Sequence, residues 1–172
     1  VLMSIESVLN EDNALLLEML REDKNFIDTS FNFPNQGKVH QLELVSWSNR
    51  NRYILYINRK SNIKTRYTLQ TKHRESHILL RLDLDTKTHR NPDGQKIGGS
   101  HLHIFDRDDM AGSWAFELDD AQLNEVFPGF DFSEITKNGT TPIEQFRLFC
   151  TLCNATNLPS INEIPVNDTL EF

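Results

Sequence analysis

The sequence predicts a single α+β domain: a curved antiparallel sheet of five or six strands, flanked by helices at both ends of the chain. Three observations predict it. With 172 residues, 38% hydrophobic and 25% charged, the chain has the size and apolar content of one ordinary domain and too much hydrophobicity for a disordered one. Apolar residues recur at helical spacing near either end. Between them lies a series of short alternating segments joined by hairpin-length polar connections.

Ile5, Val8, Leu9, Leu16, Met19 and Leu20 stand near helical spacing, and Glu11-Asp12-Asn13 interrupts them where a second helix can be capped. One helix or a helix pair therefore opens the fold. Pro34 and Gly37 in Phe31-Asn-Phe-Pro-Asn-Gln-Gly break this pattern, because proline removes a donor and glycine tolerates positive φ. Six strand candidates follow: Val39–Trp47, Tyr53–Arg59, Lys64–Thr71, His77–Leu84, His101–Phe105 and Trp114–Leu118. The connections Ser48-Asn-Arg-Asn-Arg and Lys60-Ser-Asn-Ile are short enough to require antiparallel neighbours. In His77–Leu84, alternation puts Ile78, Leu80, Leu82 and Leu84 on one face and Leu79, Arg81 and Asp83 on the other.

After the sheet, Asp119-Asp-Ala-Gln-Leu-Asn-Glu-Val-Phe opens with acidic residues suited to a helix N-terminus, and Pro128-Gly129 ends it. Thr140-Thr-Pro-Ile-Glu opens the last helix, with Pro142 in its first turn. The tail after Asn157, with Pro159 and Pro165, is expected to wrap the surface.

No apolar run approaches the roughly 18 residues of a membrane span. The start Val1-Leu-Met-Ser lacks the basic, apolar and small-residue regions of a signal peptide, so the expectation is a cytoplasmic protein without a membrane partner. Two cysteines, Cys150 and Cys153, do not make a secreted disulfide framework. Their C-x-x-C spacing falls near the end of the last helix, whereas redox chemistry places it at a helix N-terminus, where the dipole lowers the thiol pKa. They read as core-packing thiols. Half a zinc site is the other reading, but a second C-x-x-C is absent.

Net charge is −7, which taken alone argues against a polyanionic partner. The distribution says otherwise. Between Arg50 and Lys96 there are twelve Lys or Arg against four Asp or Glu, a balance of +8, which leaves −15 for the rest of the chain. A basic sheet on an acidic scaffold is the footprint of a face that meets phosphate or an acidic protein. Arg50, Arg52, Arg59, Lys60, Lys64, Arg66, Lys72, Arg74 and Arg90 are the candidate nucleic-acid contacts. Tyr53, Tyr56 and Tyr67 among them are placed to stack bases, although tyrosine is also an ordinary strand residue. The plainer reading is that these cations merely blunt strand edges.

The most distinctive stretch is His89-Arg-Asn-Pro-Asp-Gly-Gln-Lys-Ile-Gly-Gly-Ser-His-Leu-His-Ile-Phe. Asn91-Pro-Asp-Gly94 is a reverse-turn signature, and Gly98-Gly99 lets the backbone turn before a strand. In that strand Leu102 and Ile104 face one way while His101, His103 and Phe105 face the other. Three readings of the histidine pair compete. It is half of a two-His, one-carboxylate metal site completed by Asp106, Asp108 or Asp109. It is a metal-free acid and base acting on a ribose 2′-hydroxyl and a leaving oxygen, with Arg81 or Arg90 steadying the phosphorane. Or both are ordinary half-exposed strand residues. His101, His103, Arg81 and His89 form the candidate catalytic cluster. Trp114 is expected as a core anchor, sharing a face with Phe116 and Leu118.

Ile78-Leu-Leu-Arg-Leu-Asp-Leu, His89-Arg-Asn-Pro-Asp-Gly, His101-Leu-His-Ile-Phe and Trp114-Ala-Phe together resemble a family of short, uncharacterised bacterial proteins. In that family an arginine-bearing strand precedes an N-P-D-G turn, an H-x-H strand and a W-A segment. The resemblance spans about residues 53–118 and implies no activity.

The leading expectation is a domain that engages RNA or single-stranded nucleic acid, a metal-independent ribonuclease of small-toxin type that needs no cofactor. The alternatives are a non-enzymatic module whose basic sheet docks an acidic protein partner, and a metal-dependent hydrolase using the same histidines.

Overall fold

The opening helical pattern divides where its spacing breaks. In the computed structural model, which describes residues 4–9, 11–74, 77–104 and 114–164, α1 spans Ser4–Val8, a 3₁₀ turn covers Glu11–Asn13 and α2 spans Ala14–Arg21. Ile5, Val8, Leu16, Met19 and Leu20 are buried, as the spacing required.

Four long strands then run as an antiparallel meander: β3 (Val39–Val45), β4 (Arg52–Asn58), β5 (Tyr67–His73) and β6 (His77–Leu84). The third begins at Tyr67, not at Lys64, so the connection before it is longer than a tight hairpin. β9 (His101–Ile104) pairs antiparallel with β6, and β10 (Ala115–Glu117) with β9. At the other edge β1 (Lys24–Phe26) pairs antiparallel with β3 and parallel with β11 (Ala155–Thr156). The sheet thus has eight strands in the order β10-β9-β6-β5-β4-β3-β1-β11, and it is mostly antiparallel. The expected five or six strands were too few because β1 and β11 are too short to show alternation. A parallel pair of their kind needs a long connection that local pattern does not reveal.

Two small ribbons complete the β structure. β2 (Ser30–Phe33) lies parallel to β12 (Ser160–Glu163), so part of the tail is tied down as a strand. β7 (His89–Arg90) and β8 (Lys96–Ile97) form a hairpin around the Asn91–Gly94 turn. There Gly94 takes a φ of +89°, which an L side chain adopts only under strain.

One face of the sheet carries the core. Leu42, Leu44, Tyr53, Leu55, Ile57, Leu69, Leu80, Leu82, Leu102, Ile104 and Phe116 pack with residues of α2, of α3 (Leu123–Val126) and of α4 (Pro142–Leu152). α4 starts with a capping box in which Thr141 and Glu144 satisfy each other's backbone N–H groups. It buries Phe146, Phe149, Cys150 and Leu152. Cys150 and Cys153 are both core residues, and burial pushes both thiols up, Cys153 to about 11. Trp114 is half-buried and precedes the strand, whereas Phe116 enters the core.

A β-bulge alters the faces of β6. Thr71 faces Leu80 but Lys72 faces Ile78, so Leu79 is the extra residue. Leu79 is turned into the core at 2% exposure, while Ile78 stays half-buried opposite Lys72. The uniform alternation expected along His77–Leu84 therefore holds from Leu80 onward and reverses before it.

A buried lysine ties the edge of the sheet to two helix ends. Lys24 Nζ donates to Leu20 O, Glu22 O and Cys153 O at 2.9, 2.9 and 2.8 Å, and lies 4.8 Å from the centre of the Tyr53 ring. It satisfies carbonyls left open where α2 and α4 end.

Candidate functional site

The open face of the sheet, opposite the core, is where the polar residues of β6 and β9 meet. Register places Arg81 beside His103 and Asp83 beside His101. One further strand out, Ala115 faces His103 and Glu117 faces His101. The alternation of β6 after its bulge and the H-x-H spacing of β9 thus put two imidazoles, a carboxylate and a guanidinium on one patch.

The β7–β8 hairpin folds over this patch. The His89 ring lies edge-on to His103, 4.8 Å between centres, and 5.9 Å from His101. Asn91 anchors the hairpin to the sheet edge: its Nδ2 donates to Ala115 O at 2.9 Å and Ala115 N–H donates to its Oδ1 at 2.8 Å. Ile97 is buried beneath the hairpin at 2% exposure and stands outside the main core.

The result is a buried polar cluster. His101 and His103 are 1% and 0% exposed, far from the half-exposed strand positions of the plainest reading. His101 Nε2 and His103 Nε2 each lie 3.2 Å from Asp83 Oδ2, and 3.1 Å from each other. Arg81 grips the carboxylate with Nε on Oδ1 at 2.9 Å and Nη2 on Oδ2 at 3.2 Å, and Nη2 also donates to His103 Nε2 at 2.9 Å. At its other nitrogen, His101 Nδ1–H donates to Gly99 O at 3.1 Å. Gly99, at φ +60°, turns its carbonyl back toward the ring, which explains a glycine two residues before the histidine.

Burial acts first on the ionisation of this cluster. It would raise the Asp83 carboxyl, but the His101 and His103 side chains close against the carboxylate, together with the Arg81 charge, overcome this and hold Asp83 well below the usual carboxylate range. Burial lowers His103, and the Arg81 charge adds to that against the opposing pull of Asp83, so a neutral imidazole is favoured.

A pocket of about 330 Å³ opens over the cluster, lined also by Arg66, Thr86, Lys87, Thr88 and His89. All four candidate catalytic residues, His101, His103, Arg81 and His89, are therefore brought together. Asp83 is the residue that sequence reasoning left out of the site. Alternation with Arg81 gave its face, opposite Leu82 and Leu84, but not its place beside His101, which the pairing of β6 with β9 supplies. The carboxylates expected to complete a metal set, Asp106, Asp108 and Asp109, lie outside the described residues, as does Phe105.

The candidate nucleic-acid contacts do not form one patch. Arg66 lines the pocket, its Nε on Asp85 O at 2.7 Å. Lys72 lies on the open face over the Tyr56 ring, 5.4 Å from its centre. Arg50, Arg52 and Arg74 are exposed at the end of the sheet where the β3–β4 and β5–β6 turns lie, and Lys60 and Lys64 are exposed in the β4–β5 connection. Arg90 is exposed on the hairpin. Arg59 is turned away: it donates to Pro34 O at 2.8 Å and lies against Phe33 and Tyr67. Of the tyrosines, Tyr53 and Tyr67 are buried, and Tyr56 alone faces the open side. His73 and His77 face each other at the far end of β6, 6.5 Å between ring centres.

A family model described as a family of unknown function, DUF6978, matches residues 11–155, which take in the site and all of the eight-stranded sheet except Thr156. The chain belongs to this family. The match agrees with the resemblance to an uncharacterised family and reaches well beyond residues 53–118 on both sides. No curated protein and no solved structure matches the chain. Among the described residues, no helix is long and apolar enough to cross a membrane.

Proposed function

We propose that this DUF6978 chain engages single-stranded RNA and cleaves its phosphodiester backbone in the pocket over His101 and His103. The observation that carries this reading is one pocket that combines proton-handling groups with cationic walls. Its floor is the Arg81–Asp83–His101–His103 cluster, and Arg66, Lys87 and His89 rise around it with the hydroxyls of Thr86 and Thr88. Such walls attract an anion, and the Arg81 guanidinium, held on Asp83 in the floor, stabilises charge that develops on it.

The open sheet face supports a strand as the ligand. Register puts Tyr56, Gln70, Arg81 and His103 in one row across four strands. At a strand spacing of about 4.8 Å, Tyr56 stands roughly 14 Å from His103. That reach spans a few nucleotides, with Tyr56 and Lys72 offering a stacking platform for a base.

The two imidazoles do not divide the work as separate acid and base on opposite sides of a phosphate. Their Nε2 atoms are 3.1 Å apart and share one carboxylate oxygen, so they act as one unit. His89, half-buried on the hairpin at the pocket mouth, is the separate group placed to exchange a proton with a substrate.

The test is incubation of purified protein with mixed RNA and single-stranded DNA at low salt, followed by gel shift and product size. Salt-sensitive binding and RNA cleavage, both retained in Arg59→Ala and with cleavage lost in His103→Ala, are expected. The absence of both a shift and cleavage would overturn the reading and favour an acidic protein as the ligand of the basic face.

A further inference from the structure

We propose that Asp83, His101 and His103 hold one divalent transition-metal ion, with Asp83 Oδ2 and the two Nε2 atoms as its protein ligands. This rests on the donor geometry and not on the RNA-cleaving reading.

The hydrogen atoms available at the cluster lead to this conclusion. Gly99 O is an acceptor only, so the contact at 3.1 Å requires a proton on His101 Nδ1. In the neutral ring that leaves Nε2 a bare lone pair. Arg81 is a donor only, so its contact at 2.9 Å requires a lone pair on His103 Nε2. Asp83 Oδ2 is a carboxylate oxygen. Three lone-pair atoms therefore converge, 3.1, 3.2 and 3.2 Å from one another, in a buried place where such contacts are repulsive.

Two cations could relieve the repulsion. One is a proton on His101 Nε2, but it lies between only two of the three atoms at a time. His103 Nε2 then still faces Asp83 Oδ2 across 3.2 Å, acceptor against acceptor. The other is a metal ion, which all three lone pairs address at once. Ligand atoms held about 2.0–2.2 Å from a zinc-like ion stand about 2.8–3.1 Å apart in octahedral array and about 3.3–3.6 Å apart in tetrahedral array, and the separations here fall between the two.

The surroundings fit a metal ligand set. The Nδ1–H of His101 on a carbonyl fixes the tautomer that presents Nε2, and Arg81 Nε steadies the carboxylate through Oδ1 at 2.9 Å. Arg81 Nη2 now uses the His103 lone pair, and ion binding requires it to turn away. It is the most exposed member of the cluster, its side chain 28% accessible against 9% for Asp83, so it has room to do so. Two histidines and one carboxylate leave positions open toward the pocket for water or an oxygen of a ligand.

The experiment uses the full chain without an affinity tag, stripped with EDTA, exchanged into chelator-free buffer and titrated with Zn2+ by calorimetry at neutral pH. One ion per chain is expected, with affinity at least about a hundredfold weaker in His101→Ala, His103→Ala and Asp83→Asn. Circular dichroism identifies any variant that fails to fold. As a check on the wild type itself, ¹⁵N NMR should show the Nε2 resonances of His101 and His103 moving on Zn2+ addition and those of His73 and His77 staying in place. The proposal is overturned by the absence of stoichiometric uptake, or by uptake that a folded His103→Ala variant retains. It is equally overturned if His101 is protonated at both nitrogens at neutral pH and unmoved by the ion. None of these readouts involves RNA, so a protein that binds zinc but spares RNA would sink only the function proposed above.

Discussion

Asn91 treats Ala115 as a neighbouring strand would. One side-chain amide satisfies both the N–H and the C=O of a single residue on the free edge of the sheet, at 2.8 and 2.9 Å. The N of the N-P-D-G turn and the A of the W-A segment are thus two ends of one contact. It closes the last sheet edge on that side and seats the hairpin carrying His89 over His101 and His103. The amide supplies an acceptor and a donor on separate atoms, one for each backbone group of Ala115.

Asn91→Asp keeps the shape and loses the donor, setting a carboxylate against the Ala115 carbonyl at a position 3% exposed. A loss of about 2 kcal/mol is expected from an orphaned buried acceptor. Urea unfolding should show a lower midpoint at unchanged slope, and Asn91→Ala a loss of similar size.

Lys24→Ala should cost roughly 2–4 kcal/mol, because it removes a fully buried stem and uncovers three carbonyls together. Burial holds the Lys24 ammonium down at about 8. Between about 8 and 10.5 the unfolded chain keeps a proton that the folded chain has shed, so this group makes stability rise with pH across that window. The difference in unfolding free energy between wild type and variant, measured at pH 7 and pH 10, should therefore widen at the higher pH.

The meander of β3 to β6 was legible because its strands run seven or eight residues each, long enough for alternation to show even though a bulge interrupts it in β6. β1, β2, β7, β8, β11 and β12 span two to four residues each, and their pairing depends on partners distant in sequence or on a turn. The bulge at Leu79 was hidden because a leucine suits either side of it. The histidine pair was legible as a pair, but not as buried, since only the hairpin above it removes it from water. Asp83 required knowing that β9 returns to lie beside β6, which no local spacing states. Arg59 looked like every other cation in its segment; what separates it is the pair of rings, Phe33 and Tyr67, that its guanidinium meets after folding.

That separation divides the basic residues into testable groups. Arg66→Ala and Lys87→Ala should each weaken RNA binding and reduce the slope of log affinity against log salt by about one, since each removes one cation from the pocket wall. Arg59→Ala should leave the slope unchanged and lower the melting temperature, because its hydrogen bond to Pro34 and its packing are what it contributes. Filter binding across a salt series and a thermal melt on the same preparations distinguish the two behaviours.

Acid should act first through Glu22. Its carboxylate accepts from Asn49 Nδ2 at 2.8 Å, from Asn51 Nδ2 at 3.1 Å and from the Tyr53 hydroxyl, joining the end of α2 to the β3–β4 turn. Partial burial pushes this group up, but the hydrogen bonds of Ser46, Tyr53, Asn51 and Asn49 outweigh it and hold the carboxyl down at about 2. The unfolded chain takes up the proton near 4.5, so the stabilisation is complete above that pH and is lost as pH falls toward 2. Because the group is largely open to solvent, its share is roughly 1 kcal/mol, less than the shift alone implies. Glu22→Gln keeps an acceptor oxygen but not the charge. Its melting temperature should lie below that of the wild type at pH 7, and the two curves should converge as the pH falls from about 4.5 to 2. A constant gap between them across that range would show that the Glu22 charge has no part in the acid limb.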